Sequence, residues 1–247
     1  MSSDYIFAEP LIEGVISERT NRFRINVFIN NEVHLCHCPS TGKIGNFDLK
    51  NRPCLLSKSN NPKRKTAYTV EAVSLNKVED KYKTWIGINQ NAVNRYVEHY
   101  LLNGGFENMV GKEQSILREQ LLGNSKIDFL VGDSTYVEVK MPLRRLQIEV
   151  PEYIDIKEYA PLTSHERLMK HLNSFGSALL PHQRAILLVC FIYDNPGFVV
   201  NKKTHRYKTI KRMIDKSRLE QWQANFKITP KGVKLTNYFP LLRIEED

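Results

Sequence analysis

Lys126-Ile127-Asp128-Phe129-Leu130-Val131 and Thr135-Tyr136-Val137-Glu138-Val139-Lys140, joined by Gly132-Asp133-Ser134, read as two β-strands and a three-residue turn. With Val131 facing Thr135 across the turn, counting outward sets Asp128 opposite Glu138. Side chains alternate along a strand, so Lys140 shares the face of Glu138 while Ile127, Phe129, Val137 and Val139 take the other. One face is apolar and the other carries two carboxylates and an ammonium. Opposed carboxylates with Cβ atoms about 4.5–5.5 Å apart repel. A divalent cation between them turns that repulsion into ligation, and oxygen ligands with room for water suit Mg²⁺ or Mn²⁺ better than zinc. On this argument Glu138→Gln should weaken metal binding while folding stability holds or rises. A solvated hairpin in which Lys140 merely neutralises one acid has the same spacing, so the surroundings of the hairpin decide between the two.

Upstream, Ala92, Val93, Tyr96, Val97, Tyr100 and Leu101 recur at helical spacing and stop at Asn103-Gly104-Gly105. A strand is expected over Ser115 to Leu122, before the hairpin. Downstream come a helix from about Ser164 to Ser174 and a buried strand from Ala185 to Tyr193. Helix, three strands, helix, strand describes an α/β arrangement with helices against a mixed sheet. Ahead of it, Ile12–Ile16, Phe23–Ile29, Glu32–His37, Pro53–Ser57 and Ala67–Val73 read as short strands separated by turn residues. Strands of that number and length suggest a small barrel, of which the oligonucleotide-binding (OB) fold is the commonest. The expected division is residues 1–82 for the barrel and 83–247 for the second domain, α+β overall.

Charge narrows the class of partner. The 247 residues include 36 Lys plus Arg against 27 Asp plus Glu, a formal net charge of +9, which favours a polyanion. Lys202, Lys203, Arg206, Lys208, Lys211, Arg212, Lys216 and Arg218 face only Asp215 in the same stretch, so most of the excess is one patch. The longest apolar run, Ala185 to Tyr193, is too short to span a bilayer, and the start lacks the basic and apolar pattern of a secretory signal. The expectation is an intracellular protein, cytoplasmic or nucleoid-associated, with no membrane partner. Cys36, Cys38, Cys54 and Cys190 are too few for a disulfide scaffold. His34, Cys36, His37 and Cys38 do not make a zinc site, because strand alternation separates His37 from the two cysteines and no second ligand pair follows.

Several blocks resemble the sugar fermentation stimulation protein (SfsA) family. They are Arg22-Phe23; His37-Cys38-Pro39-Ser40-Thr41-Gly42; Ile86-Gly87-Ile88-Asn89 with Asn94; Arg118-Glu119; Ser125 to Leu130; Tyr136 to Lys140; Lys170-His171-Leu172; and Ile228-Thr229-Pro230. Ser40 and Lys43 depart from the family pattern, as do the residues after Lys140 and Leu168. The resemblance implies an OB barrel joined to a PD-(D/E)XK nuclease-like domain that binds nucleic acid. Asp128, Glu138 and Lys140 then fall on the nuclease signature, with Asp128 and Glu138 holding Mg²⁺ or Mn²⁺. Glu98, on the preceding helix, stands where related nucleases carry an extra acid.

The expected activity is metal-dependent hydrolysis of phosphodiester bonds in DNA or RNA with low sequence specificity. The alternative is a DNA-binding regulatory protein that no longer cuts. Candidate phosphate contacts are Arg22, Lys63, Arg64, Lys65, Lys208, Lys211 and Arg212. Arg167 and Lys170 join them, lying with His171 at i, i+3 and i+4 on one helix face. DNA against RNA and homo-oligomerisation stay open.

Overall fold

A computed structural model describes residues 3–40, 42–112, 115–157, 166–200, 207–217, 219–241 and 243–245. In chain order the elements are β1 (Tyr5–Ile6), β2 (Ile12–Asn21), β3 (Arg24–Ile29), β4 (Glu32–His37), β5 (Pro53–Lys58), β6 (Tyr68–Ser74) and β7 (Trp85–Gly87), then α1 (Val93–Leu102) and α2 (Glu107–Val110). There follow β8 (Ile116–Leu122), β9 (Ser125–Val131), β10 (Thr135–Lys140), α3 (Glu166–Ala178), β11 (Arg184–Phe191), β12 (Phe198–Val200), α4 (Tyr207–Lys216), β13 (Leu219–Ile228), β14 (Gly232–Pro240) and β15 (Arg243–Glu245).

Strands β2 to β6 form the expected OB-like barrel. Antiparallel neighbours run β4-β3-β2-β5-β6, and a parallel bridge from His37 to Thr69 closes the ring. Alternation fills it, with Ile16, Ile25, Val27, Cys36, Cys54, Leu56 and Val70 fully buried, while Leu55, on the other face of β5, is buried as well. β7 pairs with β6, so this sheet runs on to Gly87, past the division expected at residue 82.

The second sheet has the order β1-β14-β13-β11-β10-β9-β8. β10, β11 and β13 are parallel at its centre, and antiparallel strands lie on both sides. β11 reads as a continuous apolar run because a central parallel strand is covered on both faces. Helix α3 lies between β10 and β11 in the chain, completing the helix, three-strand, helix, strand order. α1 forms because Val93, Tyr96, Val97, Tyr100 and Leu101 make one buried stripe, and Gly104 at φ +69° ends the turn after it.

Tyr5 and Ile6, placed with the barrel on sequence grounds, instead pair with Val233 and Gly232 at the edge of the second sheet. Strand order in space overrides order in the chain there. Tyr5 is held by edge-on ring contacts with Phe7, Tyr96 and His99. Beyond Phe191 a group of buried amides joins the sheet layers: Gln223 Nε2 and Asn225 Nδ2 both donate to the Asn195 carbonyl, at 2.7 and 2.6 Å. Among the described residues no helix is long and apolar enough to cross a membrane.

Candidate active site

The hairpin register follows the count across the turn: Thr135 faces Val131, Tyr136 faces Leu130 and Val137 faces Phe129. Gly132, at φ +64°, supplies the left-handed residue the turn requires. The backbone ladder stops one step before Asp128 and Glu138. There the Asp128 side chain takes over, its Oδ2 accepting the Val139 amide at 2.8 Å. Its other oxygen, Oδ1, accepts from Asn94 Nδ2 at 2.9 Å, so the start of α1 is tied to the end of the hairpin.

Glu138 is completely buried. Lys140 Nζ donates to its Oε1, and His171 Nδ1 from α3 lies 2.6 Å from the same oxygen. Its Oε2 is buried with no hydrogen-bond partner. Burial pushes the Asp128 carboxyl above its ordinary value and the nearby Glu138 adds to this, while bonds from Val139 and Asn94 and the charge of Lys140 offset only part. Burial would raise Glu138 too, but the contacts from His171 and Lys140 outweigh it and hold that carboxyl below its ordinary value. The two carboxylates thus have opposite shifts, Asp128 raised and Glu138 lowered, because only Glu138 has Lys140 and His171 in contact.

A divalent cation fits this donor set. The buried, unpartnered Glu138 Oε2 is a costly atom unless something binds it. Among the described residues no three His, Cys, Asp or Glu side chains cluster to enclose a metal, so Asp128 and Glu138 would leave most positions to water, as Mg²⁺ prefers. The four cysteines are free and buried, and burial pushes the Cys36 thiol up to about 11, far from a zinc-ready thiolate.

The other sequence-derived residues fall in different places. Glu98 contacts Arg118 Nη1 of β8 at 3.5 Å, and it is Asn94, one turn earlier on α1, that reaches Asp128. The group on that helix that meets Asp128 is the amide at i−4 from Glu98. His171, grouped with Lys170 as a phosphate donor, turns inward against Glu138, whereas Lys170 is exposed. The Arg167 side chain lies outside the described residues, as do Lys202, Lys203, Arg206 and Arg218. Lys208, Lys211 and Arg212 lie on the outer face of α4, whose Ile210, Met213 and Ile214 pack inward.

On the barrel, Arg22 and Phe23 form the β2–β3 turn, with the guanidinium 4.7 Å from the ring centre, and Phe23 is 44% exposed. Lys63, Arg64 and Lys65 lie in the β5–β6 loop, and Arg64 donates to Thr69 Oγ1 at 3.1 Å. Thr69 bridges His37, which faces Arg24, so both loops meet at one end of the barrel.

Sequence comparison agrees with the architecture. Residues 18–88 match the profile of the SfsA N-terminal OB domain. A sugar fermentation stimulation protein homolog from Microcystis aeruginosa is 32% identical over 248 residues, covering 94% of this chain and 96% of that protein. The chain belongs to the sugar fermentation stimulation protein family. A second SfsA homolog, from Rippkaea orientalis, is 30% identical and covers 94% of this chain and 95% of its own length. The fold is that of a solved SfsA, from Pyrococcus furiosus in complex with Ca²⁺, with a TM-score of 0.76, 18% identity and coverage of 98% of this chain and 100% of that one. In this SfsA chain, Ser40 of the barrel meets the turn that leads into α1, and Tyr136 to Lys140 is the stretch that carries the acid and the lysine.

Proposed function

We propose that this SfsA protein is a Mg²⁺- or Mn²⁺-dependent nuclease that hydrolyses phosphodiester bonds in DNA or RNA with little sequence preference. The observation that carries the reading is the fully buried Glu138, with one oxygen unpartnered, on the same sheet face as Asp128 and in contact with Lys140. The Ca²⁺ bound by the Pyrococcus SfsA supports a divalent cation in this fold. Asp128 and Glu138 would hold the cation, which when bound polarises a phosphate oxygen and acidifies water.

The chain's own residues supply the rest. Asn94 and the Val139 amide fix both Asp128 oxygens, so the carboxylate is oriented before any ligand arrives. Lys140, about one-third exposed, is the cation that can turn from Glu138 to the attacking water or to the charge that builds on the phosphate. The two basic barrel loops and the outer face of α4 would hold the strand by its phosphates, contacts that position without reading sequence.

The test is incubation with labelled single- and double-stranded DNA and RNA in Mg²⁺, Mn²⁺ or EDTA, beside Lys140→Ala. Lys140→Ala should retain Mn²⁺ binding by calorimetry and lose turnover. Cleavage undiminished in Lys140→Ala would sink the assignment, and binding without cleavage by the parent would leave a DNA-binding regulatory protein.

A further inference from the structure

On sequence grounds the barrel lends affinity alone. The seam between the two sheets holds more than that. Between β7 and α1, residues Ile88 to Asn91 form a turn gripped from both sides. From the barrel, Ser40 Oγ donates to the Ile88 carbonyl, and the Glu71 carbonyl accepts the Ile88 amide at 2.8 Å. From the other side, Gln90 Nε2 donates to the carbonyl of Met141, the residue after Lys140, at 2.7 Å.

Asn89 stands at the centre and is 7% exposed. Its Nδ2 donates to Oε2 of the buried barrel residue Glu71 at 2.7 Å, while Glu71 Oε1 accepts from Ser57 Oγ at 2.6 Å. The Asn89 Oδ1 accepts the amides of Asn91 and Ala92, both at 3.1 Å, and so fixes the chain as it enters α1. Two residues further on, Asn94 holds Asp128.

We propose that Asn89 and Glu71 are positioning residues, through which the barrel sets the start of α1 and hence the orientation of the Asp128 carboxylate for its cation. The inference rests on the metal reading above. The links through Asn89 and Asn94 are hydrogen bonds of 2.7 to 3.1 Å, and a side-chain amide has one donor end and one acceptor end. Asn89 spends its donor on the barrel and its acceptor on the helix start, so one side chain ties the two together.

The polarity of the Glu71–Asn89 bond offers a test that separates positioning from bulk stability. Asn89→Asp keeps the acceptor for Asn91 and Ala92 but sets a carboxylate against Glu71. Adding Glu71→Gln reverses the bond, with the new amide donating to the new carboxylate and its oxygen still accepting from Ser57. Mn²⁺ affinity by calorimetry should fall roughly tenfold in Asn89→Asp, the lower end of what loss of an outer partner costs. It should return towards the parent value in the double variant.

The metal-free readout is hydrogen exchange at the Val139 amide, which should quicken in Asn89→Asp and slow again in the double variant. If Asn89→Asp fails to fold, Glu71→Met, which is close in length but has no acceptor for Asn89 Nδ2, should show the same fall in Mn²⁺ affinity and the same quickened Val139 exchange. Variants that shift only the melting temperature, leaving Mn²⁺ affinity and Val139 exchange unchanged, would overturn the proposal. A parent protein that binds no Mn²⁺ would instead remove the metal reading, and with it the stated purpose of the link, while the exchange data would still report whether the link exists.

Discussion

At the scale of single residues, the two carboxylates of the site differ in what they cost. Asp128 is raised above its ordinary value, so ionising it opposes folding, and that penalty grows as pH climbs from the ordinary carboxylate range through its folded value. Glu138 is depressed, so its contribution is stabilising above the ordinary range and is lost as pH falls through its folded value. Asp128→Asn in EDTA, with the new oxygen on the Val139 amide and the Asn94 side chain turned to accept from the new NH2, should therefore raise stability at neutral pH by about 1 kcal/mol, or roughly 2–4 °C in melting temperature. The gain should shrink as pH is lowered into the range where Asp128 protonates. Glu138→Gln, expected from the sequence to be neutral or stabilising, should cost about 3 kcal/mol instead, because Lys140 and His171 lose the buried charge they face. Both variants should lose Mn²⁺ binding. Thermal melts at several pH values beside calorimetry check the opposite signs, and equal shifts in the same direction would show that the two carboxylates have equivalent surroundings.

At the scale of elements, α4 separates packing from charge: Ile210, Met213 and Ile214 hold it to the protein, and its basic side chains are exposed. Replacing Lys208, Lys211 and Arg212 by Gln should leave the fold intact and lower the slope of log affinity against log salt by about 2–3, near 0.9 for each phosphate no longer neutralised. An unchanged slope in a fluorescence titration would mean that this face does not meet nucleic acid. The hairpin was legible in the sequence because Ile127, Phe129, Val137 and Val139 alternate cleanly with Asp128, Glu138 and Lys140, and a three-residue turn leaves one register. β13 was not legible. Its Gln223 and Asn225 break the apolar pattern of a buried strand, yet both are buried, with the Asn195 carbonyl from a distant loop accepting both amides. The site was legible in its acids and its lysine, which sit on local alternation. Asn94 and His171 were not recognised as partners of those acids, since their meaning comes from helices folding back onto the sheet.

At the scale of the whole molecule, barrel and sheet are fastened at more than the Asn89 turn. The Gly45 amide donates to Leu143, Phe47 bridges Ile156, and β7 lies against Ile192, where a Cβ on Gly87 would collide. The chain should therefore unfold as one unit, and a fragment beginning near Asp80 should not keep the native second domain, since it lacks β1 and the barrel contacts. The two tryptophans report on this, Trp85 beside the barrel in β7 and Trp222 in β13. Urea curves of Trp85→Phe and Trp222→Phe variants, each followed by the remaining tryptophan, should have the same shape and, once corrected for the substitution, the same midpoint. Two separated transitions would show independent domains. The pairing of β1 with β14 also sets an order in time. A ribosome can release a complete barrel once residue 87 has emerged, but Tyr5 and Ile6 must wait for Gly232 and Val233, almost the whole length of the chain later. Until then the edge of the second sheet is open and Tyr96 lacks its Tyr5 neighbour, so the barrel is closed long before the sheet that carries Asp128 and Glu138 has its last strand.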